Sequence, residues 1–191
     1  MSQVIVIGGS AGALDALLAL APALPAELAV PVVLVLHLAP TQRSLVADVL
    51  QPTCSQEIRE IEDKEALAPG TIHVAPPNYH VVVERAGTLA LSVDEPVQFS
   101  RPSIDVLFES AAEAFGPGVV GVLLSGANDD GARGLQRIVE CGGAAIIQHP
   151  DCALYRTMPA AARARIGDAA RMVSVSLLAT SIVSLAGRER S

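Results

Sequence analysis

No apolar stretch of this chain reaches the roughly 18 residues needed to span a bilayer. The nearest, Ala21 to Leu38, is broken by Pro22, Pro25, Glu27, Pro31 and His37, so no membrane insertion is expected. A basic leader is missing too. The N-terminus runs at once into Val4-Ile5-Val6-Ile7, which reads as a buried strand and not as a secretory signal. Cysteine is scarce: Cys54, Cys141 and Cys152 show neither CxxC nor Cys/His metal spacing. Three thiols without a secretion signal point to a reducing, cytoplasmic location and to small packed side chains, with no metal site. Positive charge is not in excess. The net charge of −7 argues against nucleic acid as a partner. No internal repeat and no long linker break the chain, so residues 1–191 are expected to form one domain with a substantial core.

The acidity lies in the first hundred residues, and the remainder is neutral. Arg101, Arg133, Arg137, Arg156, Arg163, Arg165 and Arg171 all fall in that second part. If they converge they offer a face to an acidic partner; if they disperse they are ordinary solvated arginines.

Hydrophobic patterning is rich. Val4–Ile7, Val32–Leu36, Val119–Leu124 and Ala144–Gln148 are short apolar runs of the kind buried on both faces of a parallel sheet. Between and after them, helices are expected over Leu14–Ala21, Ser44–Leu50, Ile104–Phe115 with Ser103 as its cap, and Ala132–Cys141, stopped by Gly142-Gly143. Further helices are expected from Pro159, at the first helical position, to Ile166, and over Ser176–Ala186. Glu57–Glu65 reads as an exposed charged stretch. Ile72–Val74 is a short strand. Tyr79–Glu84 and Thr88–Val93 alternate around Ala86-Gly87 as a hairpin. The fold class is therefore α/β: a doubly wound, mostly parallel, Rossmann-like sheet flanked by helices, with an antiparallel β-hairpin insertion.

In such a sheet, reactive groups gather beyond the carboxyl ends of the strands. Ser10 lies in Gly8-Gly9-Ser10-Ala11-Gly12 after the first strand, His37 ends the second, and Asn128-Asp129-Asp130-Gly131 follows Val119–Leu124. A serine hydroxyl needs a base to become a nucleophile, histidine can be that base near neutral pH, and a carboxylate can orient the histidine. A dinucleotide site would instead want Gly-x-Gly-x-x-Gly and an acid ending the second strand, where this chain has His37. From these residues a hydrolytic triad, a nucleotide loop and a structural turn all stay open. His73 and His149, at strand ends, read as structural, and Asp15 as a carboxylate favouring its helix N-terminus.

The chain resembles the catalytic domain of chemotaxis protein-glutamate methylesterases, the CheB-type family. The likeness rests on Gly8–Gly12, Leu36-His37-Leu38-Ala39-Pro40, Ile72-His73-Val74-Ala75-Pro76-Pro77 followed by His80, Arg101-Pro102-Ser103-Ile104-Asp105-Val106-Leu107-Phe108, Leu124–Ala132 and Met158-Pro159. It implies Ser10 as nucleophile, His37 as base and Asp130, rather than its neighbour Asp129, as the orienting carboxylate. It implies hydrolysis of glutamate methyl esters on chemoreceptors or receptor-like proteins through an acyl-enzyme, with glutamine deamidation in some members and no cofactor. Backbone N–H groups of Ala11, Gly12 and Ala127 are the candidates for holding the oxyanion, and Arg101 and His80 are candidates for substrate binding.

The chain departs from the family pattern in places. Gly126-Ala127-Asn128 stands where Gly-Met-Gly is common, and Ala11 where threonine is frequent. The lost methionine side chain removes an apolar wall but not a backbone donor, and Asn128 tolerates the positive φ the loop would need there. The alternative expectation is a catalytically weak or inactive binding module. Family members often carry a phosphoacceptor receiver domain, whereas this sequence opens at the first catalytic strand, so no phosphorylation control is expected within these residues.

Overall fold

The computed structural model describes residues 3–38 and 44–186; Ala39 and Pro40 of the second motif lie outside them. In chain order the elements are β1 (Val4–Gly9), α1 (Ala13–Leu20), β2 (Val32–Leu36), α2 (Val46–Leu50), β3 (Glu57–Glu60), β4 (Glu65–Ala66), β5 (Thr71–Val74), β6 (His80–Val83), β7 (Thr88–Ser92), α3 (Ile104–Phe115), β8 (Val119–Leu123), α4 (Ala132–Glu140), β9 (Ala144–Gln148), α5 (Thr157–Ile166), β10 (Ala170–Val173) and α6 (Leu178–Ala186). Seven strands form one sheet in the order β10-β9-β8-β1-β2-β5-β3, and every pairing in it is parallel. A second sheet, β4-β7-β6, is antiparallel. It is the expected hairpin, turned at Gly87, with β4 added to its edge. No helix among the described residues is long and apolar enough to cross a membrane.

Strand alternation builds a core on each face. Ile5, Ile7, Val32, Leu34 and Leu36 point to the side covered by α1 and α6, joined by Leu17, Leu20 and Ile182. Val4, Val6, Val33 and Val35 point to the other, packed against Ile104, Leu107, Phe108 and Leu135 of α3 and α4. Helix α3 buries Ile104, Leu107, Phe108, Ala111 and Ala112, the i, i+3, i+4, i+7, i+8 stripe of an amphipathic helix. Its Ser103 cap forms as expected, accepting the Val106 N–H at 3.4 Å.

Some expectations need correction. The charged stretch contains strand β3, an edge strand whose side chains alternate enough to bury Ile58 alone. Strand β10, at the opposite edge, was not anticipated. Helix α5 starts two residues before Pro159. Several of the arginines are taken up in ion pairs: Arg133 pairs with Glu109, Arg137 with Glu113 and Glu140, Arg156 with Asp151 and Arg163 with Asp168.

Candidate active site at the carboxyl edge of the sheet

Strands β2, β1 and β8 lie side by side, and the chain leaves β1 in one direction before returning to β8 in the other. That places the topological switch beside β1. In the β1–β2 register Gly9 faces Leu36, so the next residues, Ser10 and His37, leave neighbouring strands side by side. The His37 N–H donates to the Gly9 carbonyl at 3.1 Å and the Ser10 N–H to the Ser125 carbonyl at 2.9 Å. These bonds extend the sheet one step on both sides of Ser10. Gly12 then turns the chain into α1 at φ 73°, a conformation that favours glycine. A Cβ there would stand 2.7 Å from the Leu154 Cβ and 3.0 Å from the Ser125 Oγ. Leu154 and Ser125 thus pack directly against the turn at Gly12.

His37 Nε2 lies 2.8 Å from Asp130 Oδ2, with the imidazole 12% exposed and the carboxylate fully buried. Asp130 accepts three more bonds: Ser103 Oγ–H at 2.9 Å, Ile104 N–H at 2.8 Å and Asp105 N–H at 3.0 Å. It is therefore seated on the N-terminus of α3, a natural anion site. Burial alone would raise its pKa, but the bonds from His37, Asp105 and Ile104 outweigh that and hold it below the usual carboxylate value. An ionised carboxylate only accepts, so Nε2 carries a proton toward Asp130 and Nδ1 is the nitrogen left for Ser10. Neither Nδ1 nor the Ser10 hydroxyl makes a hydrogen bond among the described residues. Asp129, by contrast, is exposed.

Backbone donors are left open directly after the serine and on the loop between β8 and α4. The N–H groups of Ala11, Gly12 and Ala127 have no partner among the described residues. The Gly126–Ala127 loop is pinned from behind: Gly126 N–H donates to the Tyr155 carbonyl and Met158 N–H to the Gly126 carbonyl. Asn128 does not adopt positive φ; that role falls to Gly131 at 90°, while Asn128 Oδ1 accepts the Asp130 N–H at 3.4 Å.

The remaining candidates sit differently. Arg101 lines a cavity of about 80 Å³ with His37, Leu38, Phe99, Ser100 and Pro102. Its guanidinium donates to Asn78 Oδ1 and to the carbonyls of Val93 and Asp94. His80 is 1% exposed. Its Nδ1 accepts the Ser103 N–H at 3.1 Å and its Nε2 meets the Glu95 carbonyl at 3.2 Å, so it braces the cap of α3 and does not face the cavity. His73 is buried against Glu65 and the Ala68 N–H, a structural place as expected. Sequence reasoning missed Ser125, Gln148 and Asp105. Ser125 Oγ donates to the Ala11 carbonyl and accepts the Tyr155 N–H, and Gln148 ties the Ser125 N–H to the Cys152 carbonyl. The local signal for Ser125 and Gln148 was polarity at the end of an apolar run; Asp105 lies in the first turn of α3 and carried no such signal.

The same arrangement has relatives. The CheB methylesterase family model matches residues 5–182. A Leptospira interrogans protein, provisionally named protein-glutamate methylesterase/protein-glutamine glutaminase, is 44% identical over 84% of this chain and 83% of its own length. An Anaeromyxobacter dehalogenans protein-glutamate methylesterase/protein-glutamine glutaminase is 36% identical over 97% of this chain, which spans 53% of it. The crystal structure of the Thermotoga maritima CheB methylesterase catalytic domain superposes with a TM-score of 0.91 at 25% identity, covering 97% of this chain and 99% of that one. With a nucleotide acid absent from β2 and a histidine–aspartate pair in its place, this chain belongs to the CheB methylesterase family.

Proposed function

We propose that this chain is a serine hydrolase removing methyl esters from glutamate side chains of methyl-accepting chemoreceptors or receptor-like proteins in the cytoplasm, and deamidating glutamine there by the same chemistry. The observation that carries this reading is the 2.8 Å bond between His37 and a fully buried, ionised Asp130, set beside Ser10 at the end of the neighbouring strand. His37 Nδ1 takes the Ser10 hydroxyl proton as Oγ attacks the ester carbonyl. The resulting oxyanion is received by the free N–H groups of Ala11, Gly12 and Ala127, each worth roughly 3–4 kcal/mol in a preorganised site. Collapse breaks the carbon–methoxy bond, and the proton on His37 leaves with methanol. Water, deprotonated by the same nitrogen, then attacks the acyl-Ser10 and releases the glutamate. With glutamine the leaving group is ammonia. Asp130 stays ionised and stabilises the imidazolium at both steps.

Only backbone is asked of position 127, so alanine in place of methionine leaves the oxyanion donor available; that favours an active enzyme over an inactive binding module. Arg101 adds positive charge beside the cavity for the acidic surroundings of a methylated glutamate. The test is methanol release from methylated chemoreceptor by the wild type and by Ser10→Ala. The reading expects sustained turnover lost in the variant. Undiminished release by folded Ser10→Ala would overturn it.

A further inference from the structure

Asp130 is not the only carboxylate exchanged between helices at this edge. Asp105 is the second residue of α3, is fully buried, and reaches across to α4. Its Oδ1 accepts the Gly131 N–H at 2.9 Å and the Gly134 N–H at 2.7 Å, the cap and third residue of that helix. Asp130, immediately before the α4 cap, reaches the opposite way to the first two N–H groups of α3. Each carboxylate therefore caps the helix that carries or follows the other. Asp105 contributes its N–H to the Asp130 carboxylate and its own carboxylate to the N–H that follows Asp130, so it holds Asp130 both at the side chain and at the next peptide.

We infer that Asp105 is the positioning residue for Asp130: cross-capping of α3 and α4 through Asp105 Oδ1 fixes the Asp130 carboxylate against His37. Asp105 makes no bond to His37 among the described residues, and it acts through the loop at 130–131. Nothing else on α4 substitutes for it. Gly131 caps that helix without a side chain, and Arg133 approaches only Asp105 Oδ2, at 3.6 Å, while lying 2.6 Å from Glu109. Oδ2 accepts no hydrogen bond, so Oδ1 does the holding. This assignment rests on the triad reading above.

Two variants and two readouts test it. Asp105→Ala removes the acceptor; Asp105→Asn keeps an oxygen for Gly131 and Gly134 and discards the charge. The first readout is kcat and KM for methanol release from methylated chemoreceptor. The second is the proton NMR signal of the His37 Nε2–H, which needs no substrate and reports the bond to Asp130 even if the triad reading fails. Asp105→Ala is expected to lose kcat by about 10- to 100-fold, in the range of other residues that orient ligating groups, with KM within about threefold, and to shift or lose the imidazole signal. Asp105→Asn is expected to keep the signal and to stay within about threefold of wild-type kcat. Wild-type kcat and signal in folded Asp105→Ala would overturn the inference. If that variant fails to fold, Asp105→Asn decides: a folded variant with the signal lost and kcat down tenfold or more overturns it.

Discussion

The N-termini of α3 and α4 each receive a buried carboxylate, and the two are shifted in opposite directions. Asp130, on α3, accepts four hydrogen bonds spread over both oxygens and stays below the usual carboxylate pKa. Asp105, on α4, accepts two, both on one oxygen. Burial pushes it up to about 6, the Gly134 N–H opposing and the Asp130 charge adding to the rise. Equal burial thus gives opposite shifts, because the count of donors and not the depth decides the sign. The better-supplied seat holds the carboxylate that meets His37, which the triad reading requires to remain charged, and the poorer one holds the carboxylate we infer to act through geometry.

The strongest break of this comparison is Asp130→Asn. An amide oxygen can occupy the seat on α3, but the charge is gone and the histidine tautomer is no longer enforced. Methanol release is expected to fall about ten-thousand-fold, as for the corresponding change in a well-studied triad; a drop of under tenfold would remove Asp130 from the mechanism. Ser103→Ala should act more mildly. It deletes one donor to Asp130 and the cap of α3, so a roughly tenfold loss of kcat is expected, with about 1 kcal/mol of stability lost in denaturant unfolding. Loss of stability with unchanged kcat would show that three donors hold Asp130 as well as four.

Stability against pH is the finest probe, and the two carboxylates act in different windows. Asp105 has a folded pKa near 6 against an ordinary value of 3.8. Folding therefore favours its protonated form, and its contribution is lost as pH rises from about 4 to about 6. The loss is on the order of 2–3 kcal/mol at one pKa unit per 1.36 kcal/mol. Asp130 is shifted the other way, so its contribution is present above its unfolded pKa and lost as pH falls below about 4. Urea unfolding of wild type and Asp105→Asn across pH 4–7 should show the variant gaining relative stability with rising pH. Parallel curves would place Asp105 at an ordinary pKa.

Much of this arrangement was legible in the chain, and the illegible parts share a cause. Strands β1, β2 and β8 announce themselves because a parallel strand covered on both faces is apolar throughout, and the polar residues beyond them, Ser10, His37 and Asp130, mark the candidate site. Ser103 reads as a cap because capping is local. Strands β3 and β10 stayed hidden because an edge strand buries little: Glu57-Ile58-Arg59-Glu60 reads as a solvated loop until β5 pairs with it. Asp105 stayed hidden because the groups it caps lie 26 and 29 residues away. Placed in the first turn of α3, it passes for a carboxylate favouring its own helix.

The central claim is that His37, aligned by Asp130, activates Ser10. Labelling with a fluorophosphonate, followed by mass spectrometry, reads that activation without a receptor substrate. The account predicts a single adduct on Ser10 in the wild type, suppressed at least a hundredfold in His37→Ala and in Asp130→Asn. An adduct elsewhere, or labelling of Ser10 that persists at the wild-type rate in both variants, would contradict it.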